Sequence, residues 1–133
     1  MKQMVVPIMP VPKGRPRFYC GHAVTPKRTR DYEEQIRKHW THGMVESNSI
    51  YMSMVFCFPI PKSYSKQKQA EMVGKPHTSR GDLDNLQKSV LDALVGTAIK
   101  DDCKVCAINA MKMYDKDPCV IVTIATEEEM RDA

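Results

Sequence analysis

The chain has 133 residues, of which 42% are hydrophobic and 27% charged, and it carries a formal net charge of +4 at pH 7. That length predicts a single domain spanning residues 1–133 with one ordinary core, and the composition argues against wholesale disorder. No apolar run reaches membrane-spanning length and no charged-then-apolar leader is visible, which predicts a cytoplasmic protein with no membrane partner.

Met4 to Val11, rich in Val, Ile and Met, reads as a first strand running into Pro7, Pro10 and Pro12. The next segment, Pro12 to Tyr19, is a loop stiffened by Pro and Gly that carries Lys13, Arg15, Arg17 and two aromatics. Thr25 to Arg30 leads into a helix, with Thr29 as N-cap and Asp31 and Glu33 near its positive end. Tyr32, Ile36 and Trp40 recur at i, i+4, i+8 and read as a core-packing stripe.

Ile50 to Phe58 is a mostly apolar strand stopped by Pro59 and Pro61. Residues 62–80 form a polar, basic connector with room for one short helix at 65–73. A central helix is expected from Asp84, in a capping-box pattern with Gln87, to Val95, with Gly96 as the natural stop. Cys103–Tyr114 and Cys119–Ala125 read as two strands joined by the turn Asp115-Lys116-Asp117-Pro118, and residues 127–133 as a frayed tail. The order predicts an α/β two-layer sandwich, a mixed four-stranded sheet with helices packed on one face.

Charge is unevenly spread along the chain. Residues 1–40 hold nine Lys/Arg against three Asp/Glu, whereas residues 101–133 hold four against eight. Such asymmetry points to a basic face for a polyanion and an acidic region elsewhere.

Within the central helix, Leu83, Leu86, Val90, Leu91 and Leu94 share one sector, and Asp84, Lys88 and Asp92 form a polar stripe at i, i+4, i+8. Asp82 precedes the helix in extended backbone, so one helix start can present two carboxylates to a common point. Acids are favoured there by about 0.3–1 kcal/mol each through the helix dipole, which accounts for Asp82 and Asp84 but not for Asp101-Asp102, Lys88 or Arg80. The competing chemical reading is a set of oxygen ligands for a hard divalent ion, since Mg²⁺ needs only two or three carboxylates beside its waters. That would serve phosphodiester hydrolysis, with a neighbouring lysine neutralising charge or protonating the leaving group.

The five cysteines, an odd number, read as reduced thiols. Cys103-x-x-Cys106 finds no second pair or nearby His to complete a zinc site. The histidines at 22, 39, 42 and 77 are scattered and read as bystanders, His77 being the one that lies in the loop leading to Asp82.

Lys75-Pro76, Asp82-Leu83-Asp84-Asn85-Leu86-Gln87-Lys88, Leu91-Asp92-Ala93-Leu94 and Lys100-Asp101-Asp102 together resemble the RusA family of Holliday junction resolvases. Gly14-Arg15-Pro16-Arg17-Phe18 and the stretch from Thr25-Pro26 to Tyr32-Glu33 resemble its phage-borne members. The resemblance implies a homodimeric, Mg²⁺-dependent endonuclease (Mn²⁺ being an alternative ion) that cuts four-way DNA junctions by paired nicks. By position it implies Asp82, Asp84 and Asp102 as the essential metal-holding carboxylates, with Asp101 a further candidate, and Lys88 as the active-site lysine. Arg15, Arg17, Lys27, Arg28, Arg30 and Arg80 are the expected DNA-contacting cations. Two departures bear on sequence preference: only Arg80 and Gly81 precede the first Asp, where the family often has a basic run, and Cys103 follows the acidic pair. The other readings are a branched-DNA-binding module that does not cut, and a Mg²⁺ nuclease acting on other branched DNA or RNA.

Overall fold

The structure, a computed structural model, describes residues 1–15 and 17–132. Eleven elements follow in order: β1 (Lys2–Val6), β2 (Arg17–Tyr19), β3 (His22–Val24), α1 (Lys27–His39), β4 (Ile50–Pro59), α2 (Lys66–Met72), α3 (Leu83–Leu94), a 3₁₀ turn (Asp102–Lys104), β5 (Val105–Asp115), β6 (Cys119–Thr126) and α4 (Glu127–Arg131). The main sheet has the order β1-β6-β4-β5, with β4 and β5 parallel and the other pairs antiparallel. This is the mixed four-stranded sheet expected from the element order.

Alternation along the strands decides which face is covered. Met4, Val6, Ile50, Met52, Met54, Phe56, Val120, Val122 and Ile124 are buried on one face. The same core takes in Tyr32, Ile36 and Trp40 from α1 and Leu86, Val90, Ala93 and Leu94 from α3. Both helical stripes therefore fall where their spacing puts them. Parallel pairing of β4 and β5 demands a long crossover, and residues 60–104, including α2 and α3, supply it. The crossover lays α3 on the covered face with its polar stripe outward.

The local departures from expectation have physical causes. Helix α1 starts three residues early, at Lys27 behind Pro26, and Thr29 is buried instead of capping. The Thr29 hydroxyl is spent elsewhere, accepting from the Gly14 amide at 3.2 Å. Helix α3 starts at Leu83, so Asp82 and not Asp84 is the N-cap, and the expected capping box does not form. The loop expected at 12–19 runs into a two-stranded hairpin, β2–β3, whose turn residues Cys20 and Gly21 have φ of 50° and 80°. Residues 127–131, expected to fray, form α4, closed by a capping box between Thr126 and Glu129.

Candidate active site

Asp82 and Asp84 stand exposed at the start of α3. The Asp82 side chain makes no capping hydrogen bond, and Asp84 Oδ1 accepts only a local one, from the Asn85 amide at 2.9 Å. The helix therefore makes no capping hydrogen bond to these carboxylates, and what it gains from them comes through its dipole alone. Further along the stripe, Lys88 Nζ lies 3.4 Å from Asp92 Oδ1.

What fixes this helix start comes from three other parts of the chain. On β5, Lys112 Nζ donates to the Gly81 carbonyl at 2.7 Å and to the Ser79 carbonyl at 3.0 Å. Gly81, with φ of +106°, holds a backbone conformation that L side chains rarely adopt, immediately before Asp82. A second hold lies upstream. Residues 74–77 run beside β5, with Gly74 N donating to Tyr114 O, Tyr114 N to Lys75 O and His77 N to Lys112 O. His77 is buried, stacked on Phe58 at 4.0 Å between ring centroids and edge-on to Tyr114 at 4.9 Å. Burial, and then the nearby Lys112 ammonium, hold the His77 pKa below its ordinary value. Sequence reading missed Lys112 altogether: it sits among methionines in a strand, and nothing in the spacing marks it.

The third hold is the basic loop. The Lys13 amide donates to the Asn85 carbonyl at 2.9 Å. Lys13 Nζ bridges Glu33 of α1 and Asp92 of α3, at 3.0 Å from each. Burial alone would lower the Lys13 pKa, but the hydrogen bonds to Asp92 and Glu33 outweigh it and the ammonium is held above its ordinary value. Gly14 is packed so closely that an added Cβ would come within 2.8 Å of Thr29 Oγ1. The start of the basic segment is thus docked against the acidic helix, and Asp92 acquires a role: it joins Lys13 to Lys88.

The expected DNA-contacting cations divide by location. Arg15 is exposed on the docked loop, Lys27, Arg28 and Arg30 are exposed on the first turns of α1, and Arg80 is exposed two residues before Asp82. The side chain of Arg17 lies outside the described residues. Cations at a helix N-terminus oppose the dipole by about 0.3–1 kcal/mol each at an exposed site, so helix stability does not explain the α1 cluster.

Asp101 and Asp102 lie elsewhere. Asp101 caps the 3₁₀ turn, and its Oδ1 accepts from the Cys103 amide at 3.1 Å. That bond, with the neighbouring Asp102 side chain adding to it, holds the Asp101 carboxyl below its ordinary pKa. The turn feeds into Val105, which is paired with Ile50, whereas Lys112, which grips Gly81, is paired with Phe56. Seven residues of strand therefore separate the two places, about 23 Å at 3.3 Å per residue. The structure brings Asp82, Asp84, Lys88 and Asp92 to one helix, but leaves Asp101 and Asp102 at the other end of β5. Among the described residues, no three His, Cys, Asp or Glu side chains are grouped so as to hold one metal ion. The five cysteines are free, and Cys103 and Cys106 are both exposed. No described helix is long and apolar enough to cross a membrane.

Comparison with known proteins bears on this arrangement. The family model described as "Endodeoxyribonuclease RusA" matches residues 7–125. A curated protein of Bacillus subtilis (strain 168), "Uncharacterized protein YqaN", is 29% identical over 127 residues, covering 86% of this chain and 89% of that protein. The matched span takes in the basic loop, the acidic helix and Asp101-Asp102 together.

Proposed function

The chain belongs to the RusA endodeoxyribonuclease family, and from that membership we propose that it resolves four-way DNA junctions by paired symmetric nicks, as a Mg²⁺-dependent homodimer of one nuclease domain per chain. The observation that carries this reading is the start of α3. Two exposed carboxylates, making no capping hydrogen bond, sit at a helix start held by Lys112 and flanked by a docked basic loop. Asp82 and Asp84 supply hard oxygen donors of the kind that suits Mg²⁺ or Mn²⁺.

Within one chain, however, these donors are only two, because Asp101 and Asp102 are separated from them by the length of a strand. A two-fold dimer offers the missing group: a second copy, running the opposite way, can present its Asp102, with Asp101 beside it, to Asp82 and Asp84 of the first. The same two-fold axis gives two cutting centres, which paired nicks require. When bound, the ion would polarise a phosphoryl oxygen and lower the pKa of a water.

The chain's own side chains do the rest. Asp82 and Asp84 bind and orient. Lys88, kept near by Asp92, offsets charge on the phosphate in the transition state or gives a proton to the leaving oxygen. Arg15, Lys27, Arg28, Arg30 and Arg80 counter the phosphate backbone that the acids would otherwise repel.

The test is incubation with a synthetic four-way junction, a linear duplex and a flap, in Mg²⁺ or in EDTA. Symmetric cuts confined to the junction in Mg²⁺ are expected. Cutting that ignores branching, or binding without any cutting, would refute the resolvase assignment in favour of another nuclease or a binding module.

A further inference from the structure

The β2–β3 hairpin carries two large aromatic side chains that the fold does not use. Phe18 is 83% exposed and Tyr19 is 74% exposed, on a hairpin whose β3 residues are all exposed as well. The hairpin is held in shape by three residue pairs, Arg17 with Val24, Phe18 with Ala23 and Tyr19 with His22, closed by the two left-handed residues Cys20 and Gly21. Such a two-residue turn with positive φ at both positions matches the natural strand twist. The hairpin is therefore a built support, and its aromatic tip is the exception to be explained.

Its surroundings say what it faces. Phe18, Tyr19 and Val24 line a shallow hollow with Thr25, Pro26, Lys27 and Arg30. The first turn of α1 contains no acid; Lys27 reaches Asp31 at 2.8 Å, and among the described residues no carboxylate pairs with Arg28 or Arg30. Four and three residues before β2 the chain is pinned, Lys13 to Asn85 and Asp92 of the acidic helix and Gly14 to Thr29 of α1. An apolar, π-faced tip thus stands among cations, on a stalk rooted beside the candidate cutting centre.

A partner protein would cover the aromatics with apolar groups and leave the cations unmatched. Nucleic acid matches both, because bases stack on aromatic rings while phosphates meet Lys and Arg. Paired duplex does not offer the faces of its bases, since neighbours in the stack cover them. A branch point does, wherever strands part. We propose that Phe18 and Tyr19, which as neighbours in β2 face opposite sides of the hairpin, each offer a stacking surface to unpaired or unstacked bases at the branch of a DNA substrate, with Lys27, Arg28 and Arg30 on the adjoining phosphates. This rests on the nuclease reading above and adds to it the element that tells a branch from a duplex.

The test uses binding without cutting, in Ca²⁺. The probes are a four-way junction carrying 2-aminopurine at the branch point and a duplex of matched sequence with 2-aminopurine at its centre. The wild-type chain is expected to change the emission of the junction probe and to bind it more tightly than the duplex. Phe18→Ala with Tyr19→Ala should weaken junction binding about ten-fold, as expected for losing a single stacked base. Duplex affinity should stay within about two-fold, since phosphate contacts carry it. Phe18→Trp with Tyr19→Trp should keep both the affinity and the emission change, and the thermal midpoint of each variant should match the wild type. A double-alanine variant that keeps its junction affinity and emission change overturns the platform. So does one that loses its oligomeric mass on sedimentation, which would reassign the tip to a contact between copies. The two readings fail separately: a wild type that shows the platform behaviour but never cuts in Mg²⁺ sinks the nuclease alone, and one that ignores branched DNA sinks both.

Discussion

The two acidic pairs are built differently. Asp82 and Asp84 are held from outside their own segment: by Lys112 of β5, by the His77 stack between Phe58 and Tyr114, and by the docked loop at Lys13. Asp101 and Asp102 lie on a single 3₁₀ turn at the edge strand, and Asp101 is satisfied by an amide two residues away. One pair is fixed by tertiary structure, the other by its own backbone. A site that draws on both has a rigid half and a half whose final position is set by what docks against it.

The largest effect should come from removing either half. Asp82→Asn and Asp102→Asn should each lower cleavage by about 10²–10³-fold, with junction binding retained in gel-shift assays. If the halves meet across a dimer, mixing the two inactive variants should restore nicking, because each mixed dimer keeps one intact centre. A mixture as dead as its parts would place all the ligands in one chain and sink the two-copy arrangement.

The next effect tests the rigid half. Lys112→Met should slow turnover by about ten-fold through misplacement of Asp82, with DNA affinity nearly unchanged, and Lys112→Arg should recover part of the loss. Equal losses in binding and turnover would show that Lys112 is itself a DNA contact. Asp92→Ala removes a partner from Lys13 and Lys88. The network is partly exposed, so the expected cost is about 1 kcal/mol, seen as a fall in Tm of about 3–5 °C.

The smallest effect is on pH. His77 has a folded pKa depressed below its unfolded value, so the unfolded chain takes up a proton first as pH falls below about 6.5. Stability from this group is therefore full above that pH and declines as the solution is acidified through the folded pKa. His77→Phe keeps the stack and cannot titrate. Its melting temperature should vary less between pH 7 and pH 5 than that of the wild type, and an equal slope would assign the acid sensitivity to another group.

The sheet, both long helices and the acidic motif could be read in the sequence because each rests on a repeating pattern or a fixed spacing. The apolar stripe of α1 and the sector of α3 are cases in point. Elements that depend on one contact could not be read that way. Thr29 has the composition of a cap, but Gly14 claims its hydroxyl. The hairpin has three-residue strands, too short for alternation to register. Lys112 acquires its role only through the register that sets β5 beside β4 and the 74–81 segment beside β5. For the same reason, Asp101-Asp102 looks close to the acidic helix in sequence, while the parallel crossover carries it to the far end of the sheet.

The position of β6 has a consequence for how the chain is made. Strand β6 leaves the ribosome after the other three strands of this sheet, yet it lies inside it, between β1 and β4, and among the described residues it is the only strand that β1 pairs with. The first strand must therefore wait, unpaired, until more than a hundred further residues have been synthesised. Contacts of that sequence separation slow folding and leave apolar edges open in the meantime. Translation that stalls short of Cys119 would yield a chain that still carries Asp82, Asp84, Asp101 and Asp102 but lacks the strand that closes its core, a product for proteases and not a nuclease.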